Sequence, residues 1–281
     1  MSDVEFFLFR DIIHAFCGMH FSLDAKYLLE KRLAVRVRDL KLESFAEYFR
    51  YLTSSPAKES ELWDIMDVLT VNETYFFREA SQLKAFSDEI LPELIDVKSR
   101  RGQRQLRIWC AGCSTGEEAY TIAMLLDRPE LRGWPVEIIA TDISRRALAL
   151  AQRGVYGASS FRDLEPHYLE RYFSNHGAGF RINEKLREKV SFRLHNLYDR
   201  EHPGVTGKLD VVFCRNVIIY FDLDAKVTVV TGFHSALAEG GFLLLGHSES
   251  LINISRQFTL RHFMNHTVYQ KPEGVGQGRS A

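Results

Sequence analysis

The chain has 281 residues, 46% of them hydrophobic, and a formal net charge of −1. This apolar content suffices for a full core, whereas the small net charge excludes a global field that would recruit nucleic acid or an anionic membrane. The longest apolar stretches, such as 242–245, are strand-sized, and the start MSDVEFFLFRD carries acids where a signal peptide carries bases, so we expect a cytoplasmic protein without membrane insertion.

The first hundred residues are predicted to be helical. Apolar residues recur at helical spacing in the segments 29–40, 45–52 and 62–69. A further helix is predicted over 80–97, interrupted near Pro92. We therefore expect an N-terminal helical domain over 1–78, followed by a linker helix over 79–103.

Beyond residue 104 the pattern changes to short apolar strands separated by helices. The predicted strands are 107–111, 136–142, 208–216 and 242–248, and the predicted helices are 117–126, 145–152 and 223–238, the last ended by a break at Gly240-Gly241. Such alternation indicates βαβ units and therefore a parallel sheet. We also expect a domain over 104–271, an accessory insert at about 154–191, a closing hairpin around Met264-Asn265-His266, and a flexible tail over 272–281.

The stretch RIWCAGCSTGEEAY (107–120) follows the first strand and enters a helix, where open α/β sheets bind nucleotide-like ligands. Gly112 and Gly116 allow a tight turn, but their spacing fits neither a dinucleotide nor a phosphate-loop motif, and no lysine is available for a phosphate. Glu117 and Glu118 suit a ligand with hydroxyls or a cation, or they simply complement the helix dipole.

Asp142 ends the second strand, where an acid commonly accepts hydrogen bonds from ribose hydroxyls. Together with the glycine turn and the acidic pair it suggests S-adenosylmethionine, which carries a ribose and no phosphate. The alternative is that Asp142 only caps the next helix. Asn196-Leu197 and Arg215-Asn216 end later strands at the same expected edge, with Tyr220 close behind.

A second dense stretch, NETYFFRE (72–79), lies where the helical part should meet the sheet. Its aromatic residues Tyr75, Phe76 and Phe77 are expected to seal that interface. Arg78 is the candidate for chemistry, because a guanidinium can hold a carboxylate through paired hydrogen bonds.

These motifs resemble the CheR-type chemotaxis receptor methyltransferases. The resemblance runs in order from about residue 20 to 270 and is carried by NETYFFRE (72–79), STGEE (114–118), ATD (140–142), FCRNVIIYF (213–221) and GHSE (246–249). It implies an α/β fold of the class I (Rossmann-like) methyltransferase type, with a mostly parallel sheet, a small β-containing insert and an N-terminal all-helical domain. It also implies methyl transfer from S-adenosylmethionine to glutamate side chains of chemoreceptors, with S-adenosylhomocysteine as product.

The resemblance assigns roles to individual residues. The implied cofactor contacts are Asn72, Thr74, Arg78, Glu118, Asp142, Asn196, Leu197, Arg215 and Asn216. Arg78 and Tyr220 would line the reacting centre. We expect no metal and no strong general base, because a glutamate carboxylate is already ionised at neutral pH and needs only alignment with the donor.

Partners are predicted from charge and loop length. Six bases against two acids lie between Lys26 and Lys41, and Arg32, Arg36 and Arg38 either steer the protein onto acidic receptor helices or form an ordinary solvated face. The segment FSNHGAG (173–179) is shorter than the loop of relatives that dock on a peptide tethered to the receptor, so we expect independence from such a peptide. We further expect a monomer that does not bind nucleic acid.

Four alternatives stay open from the sequence. The acceptor belongs to a related chemosensory system outside motility, or it is a nucleic acid, for which the basic helix is the sole support. Cys110 and Cys113 form a CxxC at a helix start, which is compatible with thiol redox chemistry. Finally, the protein could bind the cofactor without turnover, although Arg78 and Tyr220 count against this.

Overall fold

The computed structural model describes residues 1–199, 201–202, 205, 207–264 and 266–273. Residues 274–281 of the predicted tail and Asn265 of the predicted hairpin turn lie outside the described residues. Within the described part of the chain, no helix is long and apolar enough to cross a membrane.

Four helices form the N-terminal part: α1 (Asp3–Cys17), α2 (Lys26–Asp39), α3 (Phe45–Ser54) and α4 (Lys58–Leu69). They enclose a core of their own, which includes Phe6, Phe9, Leu33, Tyr48 and Ile65. Sequence periodicity located α2 to α4 but not α1. The start of α1 is nevertheless encoded by a capping box, in which Ser2 and Glu5 satisfy each other's backbone N–H groups.

The predicted linker helix is continuous, so the expected interruption at Pro92 is wrong. Helix α5 (Ala80–Ala85) runs through a π-helical segment, Phe86–Ile90, into α6 (Leu91–Arg100), with Pro92 in the first turn of α6. Proline lacks the N–H that would bond the carbonyl four residues back. The chain meets this loss with a local wide turn just before the proline rather than with a break.

Ten strands follow or separate the remaining helices in the part of the chain that the structure describes. They are β1 (Leu106–Ala111), β2 (Val136–Asp142), β3 (Val155–Tyr156), β4 (Phe173–His176), β5 (Gly179–Ile182), β6 (Val190–Leu194), β7 (Leu209–Cys214), β8 (Leu237–Leu245), β9 (Thr259–His262) and β10 (Thr267–Gln270). The helices among them are α7 (Glu117–Leu125), α8 (Arg145–Arg153), α9 (Pro166–Tyr172), α10 (Glu184–Arg187) and α11 (Leu223–Ala236).

Seven strands build one sheet in the order β6-β2-β1-β7-β8-β10-β9. The first five are parallel, and β9 and β10 pair antiparallel with each other, as the predicted hairpin requires; β10 also pairs antiparallel with β8. The fold is thus the mostly parallel, Rossmann-like architecture expected from the sequence. The remaining three strands form the antiparallel sheet β3-β5-β4 of the insert, which ends before β6 begins at Val190.

The boundary between α11 and β8 differs from the prediction. Helix α11 ends at Ala236, and β8 already begins at Leu237, which pairs with Leu209 of β7. The Gly240-Gly241 pair therefore lies inside the strand, where it accompanies a shift in the β7–β8 register between Leu209 and Val211. Gly240 has φ +78°, a conformation that favours glycine, so the pair produces a bulge rather than a chain break.

The core lies on both faces of the main sheet, because successive strand residues point to opposite sides. On β1, Ile108 and Cys110 pack into the cluster that contains residues of α5 to α7, whereas Trp109 packs into the cluster that contains residues of α11. This three-layer arrangement leaves the carboxyl ends of the parallel strands as one edge, where ligands bind in such folds.

Candidate functional site

A cleft of about 1060 Å³, open solvent included, lies at the carboxyl ends of β1, β2, β6 and β7. The structure places every residue predicted for cofactor binding or catalysis along its wall: Asn72, Thr74, Arg78, Glu118, Asp142, Asn196, Leu197, Arg215, Asn216 and Tyr220. These residues come from segments up to 148 positions apart, that is, 220 − 72. Their shared location is the main geometric result for the site, and their individual roles stay predictions.

The glycine turn after β1 forms the floor of the cleft. Gly112 has φ +83°, and a Cβ there would lie 2.5 Å from Cγ2 of Val217; Gly116 has φ +94°, and its Cβ would lie 2.8 Å from that of Ala151. Both positions therefore exclude side chains on backbone and steric grounds. Ser114, also left-handed at φ 49°, points its backbone N–H at Asp142.

Asp142 joins the glycine turn to the start of α8. Its Oδ2 accepts the Ser114 backbone N–H at 2.7 Å, and its Oδ1 accepts the Ser144 N–H at 2.9 Å. Ser144, not Asp142, is the N-cap of α8, because the Ser144 hydroxyl accepts the Ala147 N–H. Burial raises the pKa of the Asp142 carboxyl, and the backbone N–H groups oppose that rise. The carboxylate thus faces the cleft with lone pairs left for a ligand.

The acidic pair at the start of α7 is divided between two tasks. Glu117 turns away from the cleft and accepts hydrogen bonds from the hydroxyls of Thr115 at 2.6 Å and Ser160 at 2.9 Å. Glu118 lines the cleft and accepts from Nη1 of Arg215 at 3.1 Å. Burial raises the pKa of both carboxyl groups, and at Glu118 the Arg215 charge opposes the rise.

Arg215 is a buried cation whose Nε–H is unpaired among the described residues. Besides Glu118 it bonds the backbone carbonyl of Arg78 and lies 3.4 Å from Oε2 of Glu79. Its Nε is buried and has no hydrogen-bond partner within the described residues. Because an unpaired buried donor is unfavourable, this atom indicates that an acceptor enters the cleft here.

Sequence reasoning gave Glu79 no role, although it ends the NETYFFRE motif. Its carboxylate accepts hydrogen bonds from Nδ1 of His247 at 2.7 Å and from Nδ2 of Asn216 at 3.3 Å. Burial opposes ionisation, but the His247 hydrogen bond and the Arg215 charge lower the pKa of Glu79 below its usual value. Glu79 therefore holds the neighbours of the cleft in place as a carboxylate.

Arg78 lies at the cleft with most of its donors unused. Nη1 donates to the carbonyl oxygen of Glu73 at 2.8 Å, and the guanidinium carbon lies 5.9 Å from the Tyr75 ring. The guanidinium carbon of Arg162, in the insert, also lies over the Tyr75 ring, 3.7 Å from the ring centroid. A guanidinium has five N–H donors, so Arg78 retains the fork needed for a carboxylate.

The three aromatic residues before Arg78 do not act as one seal. Phe76 is fully buried and packs against the insert residues Phe161 and Phe173, with ring centroids 5.3 and 5.1 Å away. Tyr75 and Phe77 line the cleft instead. Phe77 has φ 60°, which is uncommon for a bulky residue and marks a strained loop at the site.

The N-terminal helices contribute directly to the cleft edge, which sequence patterns did not reveal. Nδ2 of Asn196 donates to the Phe16 carbonyl at 2.7 Å, and the backbone N–H of His20 donates to the Tyr220 carbonyl at 2.9 Å. Asp67 of α4 accepts the Ser144 hydroxyl at 2.7 Å. The loops after β2, β6 and β7 are therefore fastened to the helical part.

The three arginines of α2 lie outside the cleft and differ in availability. Arg36 pairs with Glu61 at 2.8 Å and Asp64 at 3.1 Å, and the Glu61 hydrogen bond raises its pKa. Arg32 donates to the Val68 carbonyl at 2.8 Å. Arg38 is exposed and makes no ion pair with any described residue. Of the predicted docking residues, Arg38 alone makes no side-chain hydrogen bond or ion pair with a described residue.

The four cysteines are buried and form no disulfide among the described residues. Cys17, Cys110, Cys113 and Cys214 are all buried free thiols. Burial raises the pKa of Cys110 and Cys113 well above the usual thiol range, which disfavours the reactive thiolate. No cluster of three or more potential metal ligands occurs among the residues described.

Comparison with known families decides the assignment. The model of the CheR methyltransferase SAM-binding domain matches residues 72–267, and that of the CheR all-alpha domain matches residues 4–70. The chain belongs to the CheR methyltransferase family. Its cofactor is S-adenosylmethionine, and the protein is a methyltransferase.

Relatives of this CheR protein cover nearly its whole length. It is 39% identical to "Chemotaxis protein methyltransferase 2" of Vibrio cholerae, over 97% of this chain and 94% of the relative. It is 35% identical to "Chemotaxis protein methyltransferase 1" of Pseudomonas aeruginosa, over 92% and 94%. A "Chemotaxis protein methyltransferase" of Borreliella burgdorferi is 36% identical over 85% and 86%.

The cleft of this CheR protein fits S-adenosylmethionine. Asp142 offers a carboxylate of the kind that holds ribose hydroxyls, and no lysine lines the described cleft, as suits a ligand without phosphate. Glu118 and the unpaired Nε of Arg215 suit the amino and carboxylate groups of an amino-acid moiety. When bound, the cofactor supplies a methyl group on a positively charged sulfur, which is an activated donor.

Proposed function

We propose that this protein methylates glutamate side-chain carboxylates of chemoreceptors. One observation carries the proposal: Arg78, with most of its guanidinium donors free, lies in the same cleft as the predicted cofactor residues. Such a group suits an anionic acceptor. The names of the relatives, all chemotaxis protein methyltransferases, point to the same pathway.

The chain's own residues account for the chemistry without an acid–base pair. Arg78 would hold the incoming carboxylate through two N–H groups and fix the direction of its oxygen. The Tyr220 hydroxyl is protonated at neutral pH, because the ordinary tyrosine pKa is about 10 and burial raises the pKa of Tyr220 further, so it can donate a hydrogen bond beside the acceptor. Since the carboxylate is already ionised, no proton has to be removed.

We propose that Arg38 of α2 helps to bind the acidic receptor helix, together with Arg32, whose bond to the Val68 carbonyl leaves other donors free, whereas Arg36 is held by Glu61 and Asp64. Arg38→Glu should raise KM for the receptor and weaken the salt dependence of kcat/KM, because a charge that steers association acts mainly on encounter. Lys58→Glu, at an exposed position of α4, is the control for the change in total charge. Equal effects of the two variants would contradict a specific role for Arg38.

Independence from a tethered receptor peptide is also proposed. The β4–β5 turn of the insert is short, since His176 pairs directly with Gly179. By the family resemblance, relatives that dock on such a peptide would carry a longer glycine-containing loop there. Titration with a synthetic copy of the receptor tether should give no specific heat, and removal of the tether should leave receptor methylation unchanged; saturable binding would contradict this.

The organisation and setting of the protein are inferred in the same way. We infer a helical domain over 1–78, a linker helix over 79–103 and a methyltransferase domain over 104–271, on the support of a separate hydrophobic cluster among α1 to α4. We also propose a cytoplasmic monomer that does not act on nucleic acid. A related chemosensory pathway outside motility stays as the alternative setting.

The direct test is radiolabelled methyl transfer to the cytoplasmic fragment of candidate receptors. Incorporation that alkali releases as methanol would support ester formation on a carboxylate. A receptor fragment with its candidate glutamates changed to glutamine should accept no label. Transfer to RNA or DNA but not to any receptor fragment would contradict the proposal.

A further inference from the structure

The carboxylate of Glu249 holds the loop that follows β7. Its Oε2 accepts the backbone N–H groups of Gly246 and Asn216, both at 2.7 Å. Its Oε1 accepts those of Val217 at 2.8 Å and Ile219 at 3.2 Å. Three donors belong to the loop between β7 and α11, and the fourth belongs to the end of β8.

This loop carries groups that face the cleft at several points. Arg215 and Asn216 begin it, and Tyr220 ends it; all three line the cleft, whereas Glu249 does not. Asn216 adopts φ 60°, in the left-handed region that asparagine visits more readily than most residues. Three backbone N–H groups of this loop converge on one side chain, that of Glu249, which therefore helps to fix the shape of the loop.

The match between donors and acceptors requires the charged form of Glu249. An ionised carboxylate offers about four lone-pair sites, which equals the four N–H groups directed at it. A glutamine has the same shape but one acceptor oxygen, and its amide N–H groups would oppose backbone N–H groups that cannot reverse. Removal of the charge would thus leave backbone donors unpaired.

Gly246 completes the arrangement by leaving space. A Cβ at this position would lie 2.8 Å from the backbone nitrogen of Asn216 and 2.9 Å from Oε2 of Glu249. Real side chains do not approach so closely, so the loop or the carboxylate would have to move. The GHSE segment (246–249) thus provides both the acceptor and the room for the loop.

We propose that Glu249 is a positioning residue for methyl transfer. Its carboxylate sets the conformation of residues 215–220 and thereby places Arg215 and Asn216 for the cofactor and Tyr220 for the acceptor. It acts through the backbone and touches neither ligand. The inference rests on the proposed function of the cleft.

The test compares Glu249→Gln with Glu61→Gln in the full-length protein. Both changes neutralise a carboxylate without changing its shape. Glu61 accepts from the Arg36 guanidinium and the Tyr48 hydroxyl among the N-terminal helices and does not line the cleft, whereas the donors to Glu249 are fixed backbone N–H groups of a cleft loop. Glu61→Gln should therefore bind S-adenosylhomocysteine as the wild type does.

For Glu249→Gln we expect Kd for S-adenosylhomocysteine to rise at least about tenfold. With cofactor saturating, kcat should fall while KM for the receptor fragment is unchanged. A purely structural role would instead lower the unfolding temperature and leave Kd and kcat unchanged well below it. Kd and kcat within about twofold of the wild type, which is small beside the loss of a single buried hydrogen bond, would overturn the inference.

Gly246→Ala provides a second route if Glu249→Gln does not fold. The added methyl displaces the same loop but keeps the charge, so Kd should again rise; unchanged binding by folded Gly246→Ala would also overturn the inference. The wild type serves to separate the two proposals. Its failure to bind S-adenosylhomocysteine would refute the cofactor site itself, whereas normal wild-type binding with unaffected variants would refute only the role of Glu249.

Discussion

Replacement of Arg78 by alanine should abolish most methyl transfer while leaving the fold intact. Among the residues that the structure describes, the Arg78 side chain makes one hydrogen bond, to the Glu73 carbonyl at 2.8 Å. Its loss should cost about 1 kcal/mol of unfolding free energy. The backbone carbonyl of Arg78, which Arg215 binds, is unaffected by the change.

The expected catalytic loss is much larger. Two charge-assisted hydrogen bonds to the acceptor carboxylate are worth about 1.5–3 kcal/mol each, or about 3–6 kcal/mol together. At about 1.36 kcal/mol per factor of ten, kcat/KM for the receptor should fall by about 10²–10⁴. Arg78→Lys keeps the charge but not the fork, so its loss should be intermediate.

The assay is radiolabelled methyl transfer at saturating S-adenosylmethionine, since Arg78 is also a predicted cofactor contact. Arg162→Ala is the matched control. It removes a guanidinium that stacks on Tyr75 of the same loop, but Arg162 itself does not line the cleft. An Arg78→Ala protein with kcat/KM within about fivefold of the wild type would refute the reasoning, because a lost carboxylate clamp must cost more than about 1 kcal/mol.

Two further predictions concern buried groups. Changing both Cys110 and Cys113 to alanine should leave methyl transfer largely intact. The native protein should react slowly with a thiol reagent, because burial raises the pKa of both thiols. Complete loss of activity by the double variant with the fold retained would support the redox alternative. Burial, and the His202 ring 2.8 Å from the His195 ring, lower the pKa of His195 to about 4. Neutral His195 therefore contributes to the stability of the fold above about pH 6.5. This contribution is lost as the pH falls towards about 4. Urea unfolding should show this loss in the wild type and less of it in His195→Gln, and equal acid sensitivity of the two proteins would argue against it.

Local patterns predicted most of the fold. Strands such as β1 and β2 are short apolar runs, and the helices between them carry caps and periodic apolar residues, so neighbouring residues alone specify them. The GxxxG turn and the strand-end acid then placed the cleft, because parallel strands present their carboxyl ends at one edge. Helix α1 could have been found from its Ser2–Glu5 capping box.

Long-range contacts could not be predicted in this way. The bond from Asn196 to the Phe16 carbonyl joins residues 180 positions apart, and no local signal encodes it. Likewise, Glu249 accepts a hydrogen bond from the backbone N–H of Val217, which is 32 residues earlier in the chain. Arg36 forms ion pairs with Glu61 and Asp64 of another helix. A charged residue in a pattern shows what it can bind, whereas the tertiary fold decides what it does bind.

The most direct test of the cofactor site is calorimetric titration with S-adenosylmethionine and S-adenosylhomocysteine on wild type, Asp142→Ala and Asp127→Ala. Asp127 is a matched control, since its carboxylate pairs with Arg171 and Lys189 away from the cleft. We expect wild type and Asp127→Ala to bind both compounds. Asp142→Ala should lose at least about a hundredfold in affinity, as two hydrogen bonds to a charged group imply. Absence of binding by well-folded wild type, or undiminished binding by Asp142→Ala, would contradict the account.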